Sequence, residues 1–504
     1  TGEIKAMVGG RTKPTSKKTL NRATDMRMPV GSSIKPISVY APALELGASP
    51  ASIVYNMPVP IPGWRGKDGK DSWPKNYGGG GYVGPETLRT AMEKSHNTAA
   101  AQTLLTLVGV ERSVDFLHRM GVDDKHIDAT PFGLALGSSG ITPLQMAVAY
   151  GVLANGGVYQ EPLSVLGISD NDGNVVWDGH GSREVNGVKV ENQERRRVFS
   201  ASTSYMIVDM LQGAVRNGTG TGAKIKGQTV AGKTGTNSDQ KGVFFAGMTG
   251  YYTSALWIGH DNYKALSGKT TGSGAAVPLW QNYMMQLHEG LPNRAILDGD
   301  PSQYDLVKAT TCAVSGQLAT EACYNDASGR GVITDWWAKG TAPQVPCQMH
   351  AAQSVCAETG QIATPYCPNP LTKGVVVIPP GHPLYHLIGT EYDGVLSDYL
   401  GPWATVRFGP DGSVISGGTT CQLHGSGTAV PGGQDPLVTN TLIPDAQLLI
   451  AQANAQLQST DPASPTYGNI SAAIQNLQNI ISSNGSQADI AAAMGQLTMA
   501  MAGL

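Results

Sequence analysis

Residues 227–236, GQTVAGKTGT, match two different chemical motifs. Read from Gly227, the stretch satisfies G-x-x-x-x-G-K-[ST], a loop that holds phosphates, with Lys233 directed at the phosphates and Thr234 at magnesium. Read from Lys233, it is K-T-G, the third motif of a class of serine enzymes. The flanking residues and the rest of the chain decide between these two interpretations.

The flanks of this stretch argue against a phosphate loop. Such a loop follows a buried apolar strand and opens a helix, whose N-terminal N–H groups hold the phosphates. Residues 218–226, GTGTGAKIK, are too polar and too rich in glycine for a central strand, and residues 235–242, GTNSDQKG, are a poor start for a helix. The sequence therefore disfavours nucleotide binding.

A serine and a lysine three residues apart occur in GSSIKP at 31–36. If a helix begins at Ser32, this spacing puts its hydroxyl and the Lys35 amine on one face. A serine hydroxyl is a weak nucleophile that needs a nearby base. Lys35 can be that base when it is neutral, and burial together with a second cation, Lys233, would lower its pKa in that direction.

A serine and an asparagine separated by one residue form the middle motif, which occurs three times; one match, Ser482 and Asn484, lies in the tail, after the K-T-G motif. Ser95-His96-Asn97 falls between two helical segments, where the junction can turn both side chains into a cleft. Residues 169–171, SDN, lie at the tip of a predicted hairpin, where such residues are turn formers. A second serine–lysine match, SWPK at 72–75, has a proline in its spacer, so no helix is expected to hold that pair together.

The elements that must position these residues indicate an α+β fold, an antiparallel sheet flanked by helices. Thr142 and Pro143 are typical of a helix start, and Asn171-Asp172-Gly173 is typical of a hairpin turn. We predict helices over 33–47, 85–94, 97–108 and 142–155, and hairpins over 165–179 and 243–261.

Three domains are predicted from changes in composition along the 504 residues: 1–290, 291–435 and 436–504. The middle part contains a repeat, because CAVSGQLATEAC at 312–323 and CAETGQIATPYC at 356–367 share their cysteine spacing, and a Cys-x-x-His follows each of them. The last part is rich in Ala and Gln, with apolar residues at helical spacing, which predicts a small helical tail.

Composition excludes some classes of partner. A net charge of −3 with 14% charged residues provides no basic patch for nucleic acid. The sequence contains no apolar run of the roughly 18 residues that span a membrane. The alternation of Ile4, Ala6 and Val8 with polar residues predicts a strand at the start of the chain, so we expect the chain to be part of a longer protein.

Four segments together resemble the transpeptidase domain of class A (bifunctional) penicillin-binding proteins of Gram-positive type: GSSIKP, residues 78–97, residues 136–157 and VAGKTGT with the hairpin after it. The resemblance covers residues 1–290. It implies the penicillin-binding/serine β-lactamase-like fold, including an all-helical subdomain. The repeated segments resemble the cysteine-containing C-terminal extensions of some members, whereas the family's membrane anchor and glycosyltransferase domain are not in this sequence.

The resemblance also implies a role for each motif residue. The implied catalytic residues are Ser32, Lys35, Ser95 and Lys233, and the implied substrate-binding residues are Asn97, Thr234, Gly235 and Thr236. Ser32 would be the nucleophile, Lys35 its base and Ser95 the proton relay to the leaving amine. Asn97 would hold the substrate amide, and residues 233–236 its terminal carboxylate. The backbone N–H groups of Ser32 and Thr236 would form the oxyanion hole.

The implied function is a serine D,D-transpeptidase that cross-links peptidoglycan stem peptides through an acyl-enzyme and is acylated by β-lactams. Such an enzyme needs no cofactor and no active-site metal, binds no nucleic acid, works on the extracytoplasmic face of the bacterial membrane, and touches the membrane only through the missing anchor. A D-alanyl-D-alanine carboxypeptidase or β-lactamase would use the same motifs with water as the acceptor. The alternative of another class is a non-catalytic penicillin sensor or cell-wall-binding protein.

All six cysteines lie in the two repeated segments and the Cys-x-x-His pairs that follow them. An even number in one region favours disulfides in an oxidising compartment. We predict the pairs Cys312–Cys323, Cys356–Cys367 and Cys347–Cys421. The alternatives are a zinc site built from Cys347, His350, Cys421 and His424 and six reduced, scattered thiols.

Overall fold

The computed structural model describes residues 1–13, 16–79, 81–186, 188–268, 270–408, 414–416, 420–424, 443–458, 460, 462, 464–483 and 487–502. The chain divides into two compact units. Unit 1 comprises residues 1–323 and 330–347, and unit 2 comprises residues 324–329 and 348–504. The three-domain division proposed from composition stays a prediction.

The described α-helices are α1 (Ala41–Glu45), α2 (Leu88–Lys94), α3 (Asn97–Thr103), α4 (Val110–Arg119), α5 (Pro131–Leu136), α6 (Pro143–Ala154), α7 (Ala201–Asn217), α8 (Val277–Leu287), α9 (Glu321–Tyr324), α10 (Asp393–Leu400), α11 (Ile443–Gln458), α12 (Pro465–Ser482) and α13 (Gln487–Ala502). The described strands are β1 (Ile53–Asn56), β2 (Ile61–Arg65), β3 (Asp71–Ser72), β4 (Gly84–Thr87), β5 (Val158–Gln160), β6 (Gly167–Ser169), β7 (Val175–Asp178), β8 (Ser182–Val185), β9 (Val188–Glu191), β10 (Arg195–Arg197), β11 (Ala231–Thr236), β12 (Gly242–Met248), β13 (Thr253–Gly259), β14 (Leu306–Cys312), β15 (Val332–Ala338), β16 (His350–Cys356), β17 (Pro370–Val376), β18 (Arg407–Phe408) and β19 (Val414–Ser416).

A three-stranded antiparallel sheet of β11, β12 and β13 carries the K-T-G motif in unit 1. Because successive side chains of a strand point to opposite faces, the two phenylalanines of β12 enter different cores. Phe244 packs among the helices that surround residues 31–45, whereas Phe245 contacts Trp280 of α8 with ring centroids 4.9 Å apart. Lys233 pairs with Ala246, which lies in the same core as Phe244. The alternation therefore directs Lys233 toward the helices.

Several predicted helices form, with local changes that have physical causes. The helix predicted over 142–155 is α6, which starts with a capping box at Thr142 and has Pro143 in its first turn. The helix predicted over 85–94 begins only at Leu88, because residues 84–87 pair with β1. Both hairpins form, as β6–β7 and β12–β13. The antiparallel sheet and its flanking helices confirm the α+β prediction.

The strand predicted at the start of the chain is wrong. Residues 1–9 make a single bridge, between Glu3 and Leu163, in which Ile4 N donates to Leu163 O at 2.9 Å. Val8 is exposed, so the alternating pattern faces no core. Alternation marks a strand only where a neighbouring strand and a buried face accompany it.

In unit 2, α11, α12 and α13 pack as a three-helix bundle, which confirms the predicted helical tail. The buried residues that the bundle contributes to its core are Ala446, Ile450, Ala453, Ile470, Ile474, Leu477, Ile490, Ala493, Leu497 and Ala500. Across the described ranges, no helix combines the length and the apolar character needed to cross a bilayer.

Helix α2, which leads into the Ser95 motif, is held by an ion-pair network. Arg89 donates twice to Asp335 on β15, at 2.7 and 2.8 Å, and lies 2.8 Å from Asp209 on α7. These side chains are one-quarter exposed or less. Paired guanidinium and carboxylate groups of this kind are costly to separate, because each partner is poorly solvated.

Replacing Arg89 with leucine should lower the free energy of unfolding of unit 1 by about 3 kcal/mol, because Asp335 loses its bidentate partner. Urea denaturation followed by tryptophan fluorescence measures the change. The matched control is Arg216→Leu, because Arg216 is half-exposed and lies 3.5 Å from Asp209, farther than Arg89 does. This substitution should lower the free energy of unfolding by less than about 0.5 kcal/mol. Equal costs for the two variants would contradict the network's role.

Candidate active site

Ser32 lies in a 3₁₀ turn, Gly31–Ile34, that runs without a break into a π-helical turn and then α1. Ser33 and Ile34 point into the core, and Ser33 Oγ donates to Val30 O at 2.7 Å. Ser32 itself is only partly buried. The turn is therefore anchored by its neighbours while the candidate nucleophile remains accessible.

Lys35 is fully buried one turn later, and its amine has three acceptors. Its Nζ donates to the carbonyl oxygens of Ser95 at 2.9 Å and His96 at 3.2 Å, and to Asn97 Oδ1 at 2.7 Å. All three residues of the middle motif, Ser95, His96 and Asn97, therefore hold the Lys35 amine in place.

The middle motif reaches Lys35 because of the backbone conformation at Ser95. This residue ends α2 in the left-handed region, with φ +63° and ψ +33°, and α3 begins at Asn97. A left-handed residue other than glycine is uncommon and reverses the chain sharply. The reversal brings two successive carbonyl groups and the Asn97 side chain to one point.

Lys233 approaches the same motif from the sheet. Its Nζ donates to Ser95 Oγ at 2.8 Å and to Thr234 O at 3.2 Å, and the side chain is fully buried. Ser95 therefore bonds one lysine through its carbonyl oxygen and the other through its hydroxyl. This arrangement fixes the positions of both amines relative to Ser95.

Burial governs the protonation of both lysines. It lowers the pKa of Lys35 well below its ordinary value, the charge of Lys233 lowers it further, and the carboxylate of Glu86 opposes the shift. Burial also lowers the pKa of Lys233 to about 7. Two ammonium groups in one buried site repel each other, so protonation of one amine disfavours protonation of the other.

Strand β11 and the Ser32 turn are in backbone contact, which two glycines permit. A Cβ at Gly235 would overlap the carbonyl oxygen of Val30, and a Cβ at Gly31 would lie 2.6 Å from the carbonyl oxygen of Thr236. Gly31 also has φ +57°, where glycine is favoured. The close approach brings the backbone at the end of β11 beside the backbone of the serine turn.

The threonines of β11 have partners from loops that are distant in sequence. Thr234 Oγ1 is 2.7 Å from Thr219 Oγ1, and Thr236 Oγ1 accepts from Gly272 N at 3.0 Å. Hydroxyl groups aligned along a strand next to a buried lysine can donate to an anionic group of a ligand. Residues 233–236 thus offer a binding edge for a carboxylate.

Asn97 is oriented by residues that the sequence did not single out. Its backbone N–H donates to Asn76 Oδ1 at 2.7 Å, and its Nδ2 donates to Lys75 O at 2.8 Å. Glu86, also missed, lies 2.9 Å from His96 Nδ1. A motif search cannot find such residues, because they act through positions set by loops and strands rather than by local spacing.

The two motif matches that the sequence disfavours, SDN at 169–171 and SWPK at 72–75, have other local roles. Residues 169–171 lie at the β6–β7 turn, where Asp170 Oδ1 accepts from Asp172 N and Asn174 N. Ser72 lies on β3, and of the SWPK segment only the Lys75 carbonyl contacts Asn97. Within the described ranges, the side-chain clusters suited to a metal are two cysteine–histidine groups, neither of which includes a residue of this site.

Comparison with known proteins specifies the family to which this arrangement belongs. Residues 1–259, slightly more than half of the chain, match the penicillin binding protein transpeptidase domain, and residues 304–352 match the penicillin-binding protein 1A C-terminal domain. The chain therefore belongs to the family of penicillin-binding protein transpeptidase domains.

Individual relatives agree with this family. Penicillin-binding protein 1A of Clostridium botulinum (strain Hall) is 31% identical over 385 residues, which cover 75% of this chain and 44% of the relative. The Aquifex aeolicus protein of the same name is 36% identical over 293 residues, 58% of this chain and 37% of the relative. The crystal structure of penicillin-binding protein 1A from Haemophilus influenzae is 28% identical, with a TM-score of 0.53 over 66% of this chain and 51% of that chain. This chain spans less than half the length of the two sequence relatives.

Replacing Gly235 with alanine should reduce acylation of the serine by about 100-fold or more, because the added methyl group displaces the turn that carries it. The pseudo-first-order rate of labelling by a fluorescent penicillin measures this. Gly151→Ala is the control: Gly151 lies within α6 and has open space around its Cβ, so labelling should be unchanged. A Gly235→Ala variant that labels at the wild-type rate would contradict the proposed backbone contact.

Proposed function

We propose that this protein is a serine D,D-transpeptidase that cross-links peptidoglycan stem peptides, and that β-lactams acylate it at Ser32. The observation that carries the proposal is the pair of buried lysines, Lys35 and Lys233, both bonded to Ser95, with Lys35 one turn after the partly exposed Ser32. Membership of the penicillin-binding transpeptidase family supports the same assignment.

In the first step, Ser32 Oγ attacks the carbonyl carbon of the penultimate D-alanine, and its proton passes to neutral Lys35. The backbone N–H groups of Ser32 and Thr236 stabilise the oxyanion, a role supported by the contact between their two segments. Collapse of the tetrahedral intermediate breaks the peptide bond. The terminal D-alanine leaves as an amine after receiving a proton through Ser95, and an ester remains on Ser32.

Substrate binding is assigned to the edge of β11 and to Asn97. Lys233, Thr234 and Thr236 hold the terminal carboxylate, with Gly235 allowing the strand to lie close to the serine turn, and Asn97 holds the substrate amide. In the second step the amine of a neighbouring stem peptide loses a proton to the site and attacks the ester. The new amide is the cross-link, and Ser32 regains its proton.

The substrate also indicates a compartment. Peptidoglycan is assembled outside the cytoplasmic membrane, so we place the activity on the extracytoplasmic face. The resemblance to penicillin-binding protein 1A supports this location.

A penicillin should add once to the protein, at Ser32, because its strained amide and carboxylate resemble D-alanyl-D-alanine. Intact-mass measurement after brief exposure, followed by peptide mapping, tests this. Ser32→Ala should abolish the adduct, whereas Ser72→Ala and Ser169→Ala should keep it. An adduct on Ser72, or full labelling of Ser32→Ala, would refute the site.

Transfer and hydrolysis are distinguished by the product. With a stem pentapeptide donor and an excess of an amine acceptor such as a D-amino acid, the wild type should form the exchanged peptide faster than the hydrolysed one. Purely hydrolytic products would favour the carboxypeptidase alternative. An acyl adduct without turnover of any peptide would favour a penicillin sensor.

The rate of acylation at saturating penicillin should rise with pH as Lys35 loses its proton, and this rise should lie below the ordinary lysine range. The bound carboxylate keeps Lys233 charged under these conditions. Glu86→Gln removes a carboxylate that raises the pKa of Lys35, so it should move the rise to lower pH by about one unit. Lys233→Met removes a cation that lowers this pKa and should move the rise to higher pH. Shifts of the same sign in both variants would contradict the assignment of Lys35 as the base.

A further inference from the structure

The two repeated cysteine segments form the same backbone motif. In each, the N–H of the first cysteine donates to the carbonyl of the glutamine five residues later at 2.8 Å, and the glycine just before that glutamine, at φ +72° or +67°, turns the chain back. The third cysteine then joins the turn through its own N–H, with Cys347 N donating to Leu318 O and Cys421 N to Ile362 O, both at 2.8 Å. The repeat therefore gathers three thiols at each turn.

The predicted disulfides are not confirmed, because none of the six cysteines forms a disulfide bond. Cys347 groups with Cys312 and Cys323, and Cys421 groups with Cys356 and Cys367. The predicted Cys347–Cys421 pair and the single zinc site that contains both residues are not confirmed by these groups. Spacing alone could not separate these cases, since two cysteines eleven positions apart suit a disulfide or a metal turn.

The group in unit 2 includes a histidine. The ligand atoms of Cys356, Cys367, Cys421 and His424 all lie within 4.8 Å of one another. His424 Nδ1 is 3.5 Å from Cys356 Sγ and 3.4 Å from Cys421 Sγ. A tetrahedral zinc with Zn–S of about 2.3 Å and Zn–N of about 2.0 Å requires sulfur–nitrogen separations of about 3.5 Å. The observed sulfur–nitrogen separations match this requirement.

The surroundings of these thiols suit thiolates. The three cysteines are buried. Thr364 N donates to Cys367 Sγ at 3.3 Å, and backbone N–H groups of residues 358 and 359 bond Cys356. The cysteines of unit 1 repeat the pattern, with Cys312 Sγ accepting from residues 314 and 315 and Cys323 Sγ from residue 320, at 3.3 to 3.4 Å. N–H groups directed at sulfur stabilise its negative charge and orient it as a ligand.

His424 is also oriented as a metal ligand would be. Its Nδ1 faces the thiols while Nε2 lies 3.7 Å from the Glu358 carboxylate, and Thr364 Oγ1 donates to its carbonyl oxygen at 2.7 Å. A carboxylate near the distal nitrogen is the usual outer contact of a metal-bound histidine. The apolar core beside this group comprises five buried residues, Val355, Ile362, Val375, Trp403 and Val406. A module with so small a core needs a cross-link of some kind.

From these observations we propose that Cys356, Cys367, Cys421 and His424 form a structural zinc site that holds the second cysteine module together. Zinc is the cation that three thiolates and one imidazole in a closed tetrahedron select. On binding, the three thiols release their protons, and four coordinate bonds form without any change of oxidation state. The site is independent of the proposed acyl transfer.

The test is zinc analysis of the full chain after reduction, incubation with zinc sulfate and desalting. Cys421→Ser should contain about one equivalent of zinc less than the wild type. His424→Cys should retain the wild-type content, because four thiolates also bind zinc, and the control His386→Gln should retain it too. A wild-type protein without zinc, or a Cys421→Ser variant with undiminished content, would overturn the proposal.

Two measurements on the unmodified protein keep the proposal testable if a variant fails to fold. Cobalt(II) in place of zinc should produce the intense visible bands and the thiolate charge-transfer band of a tetrahedral sulfur-rich site. A non-reducing peptide map of the zinc-loaded protein should show the three cysteines as thiols. A Cys356–Cys367 disulfide in that map, or a weak octahedral cobalt spectrum, would contradict the site.

Discussion

The active site depends on the electrostatic repulsion between two buried lysines. Lys35 and Lys233 are both inaccessible to water, and Ser95 bonds each of them. Removing an ammonium group from water is costly, and a second ammonium nearby adds to that cost. The site therefore favours a state with one charged and one neutral amine, which is the state that can both bind a carboxylate and accept a proton from a serine.

The rest of unit 1 holds these two lysines close together. Because side chains alternate along β11, Lys233 points toward the helical core. The ion pairs of Arg89 hold α2, the helix that ends at Ser95. The left-handed turn at Ser95 supplies the acceptors that hold the Lys35 amine in place. Close glycine contacts keep the serine turn against β11. Separate regions of the chain thus converge on one pair of amines.

Much of this site could be predicted from the sequence, because SxxK and KTG lie on local elements whose spacing determines their geometry. The α+β class and helices such as α6 followed from periodicity and capping residues. Asn76 and Thr219 could not be found in this way, since only the tertiary fold brings them to Asn97 and Thr234. The prediction of a strand at the start of the chain was wrong because alternation does not reveal whether a partner strand is present. The cysteine pairs could not be settled from the sequence for a related reason, because equal spacing permits several pairings.

The protonation state of Lys35 tests the account most directly. Lysine ε-carbons in the isotopically labelled protein can be titrated by NMR, with the Lys35 signal assigned by its loss in Lys35→Met. The account predicts that this signal titrates well below the signals of the exposed lysines. A Lys35 signal that titrates together with the exposed lysines, at about 10.4, would contradict the claim that burial prepares this residue as the base.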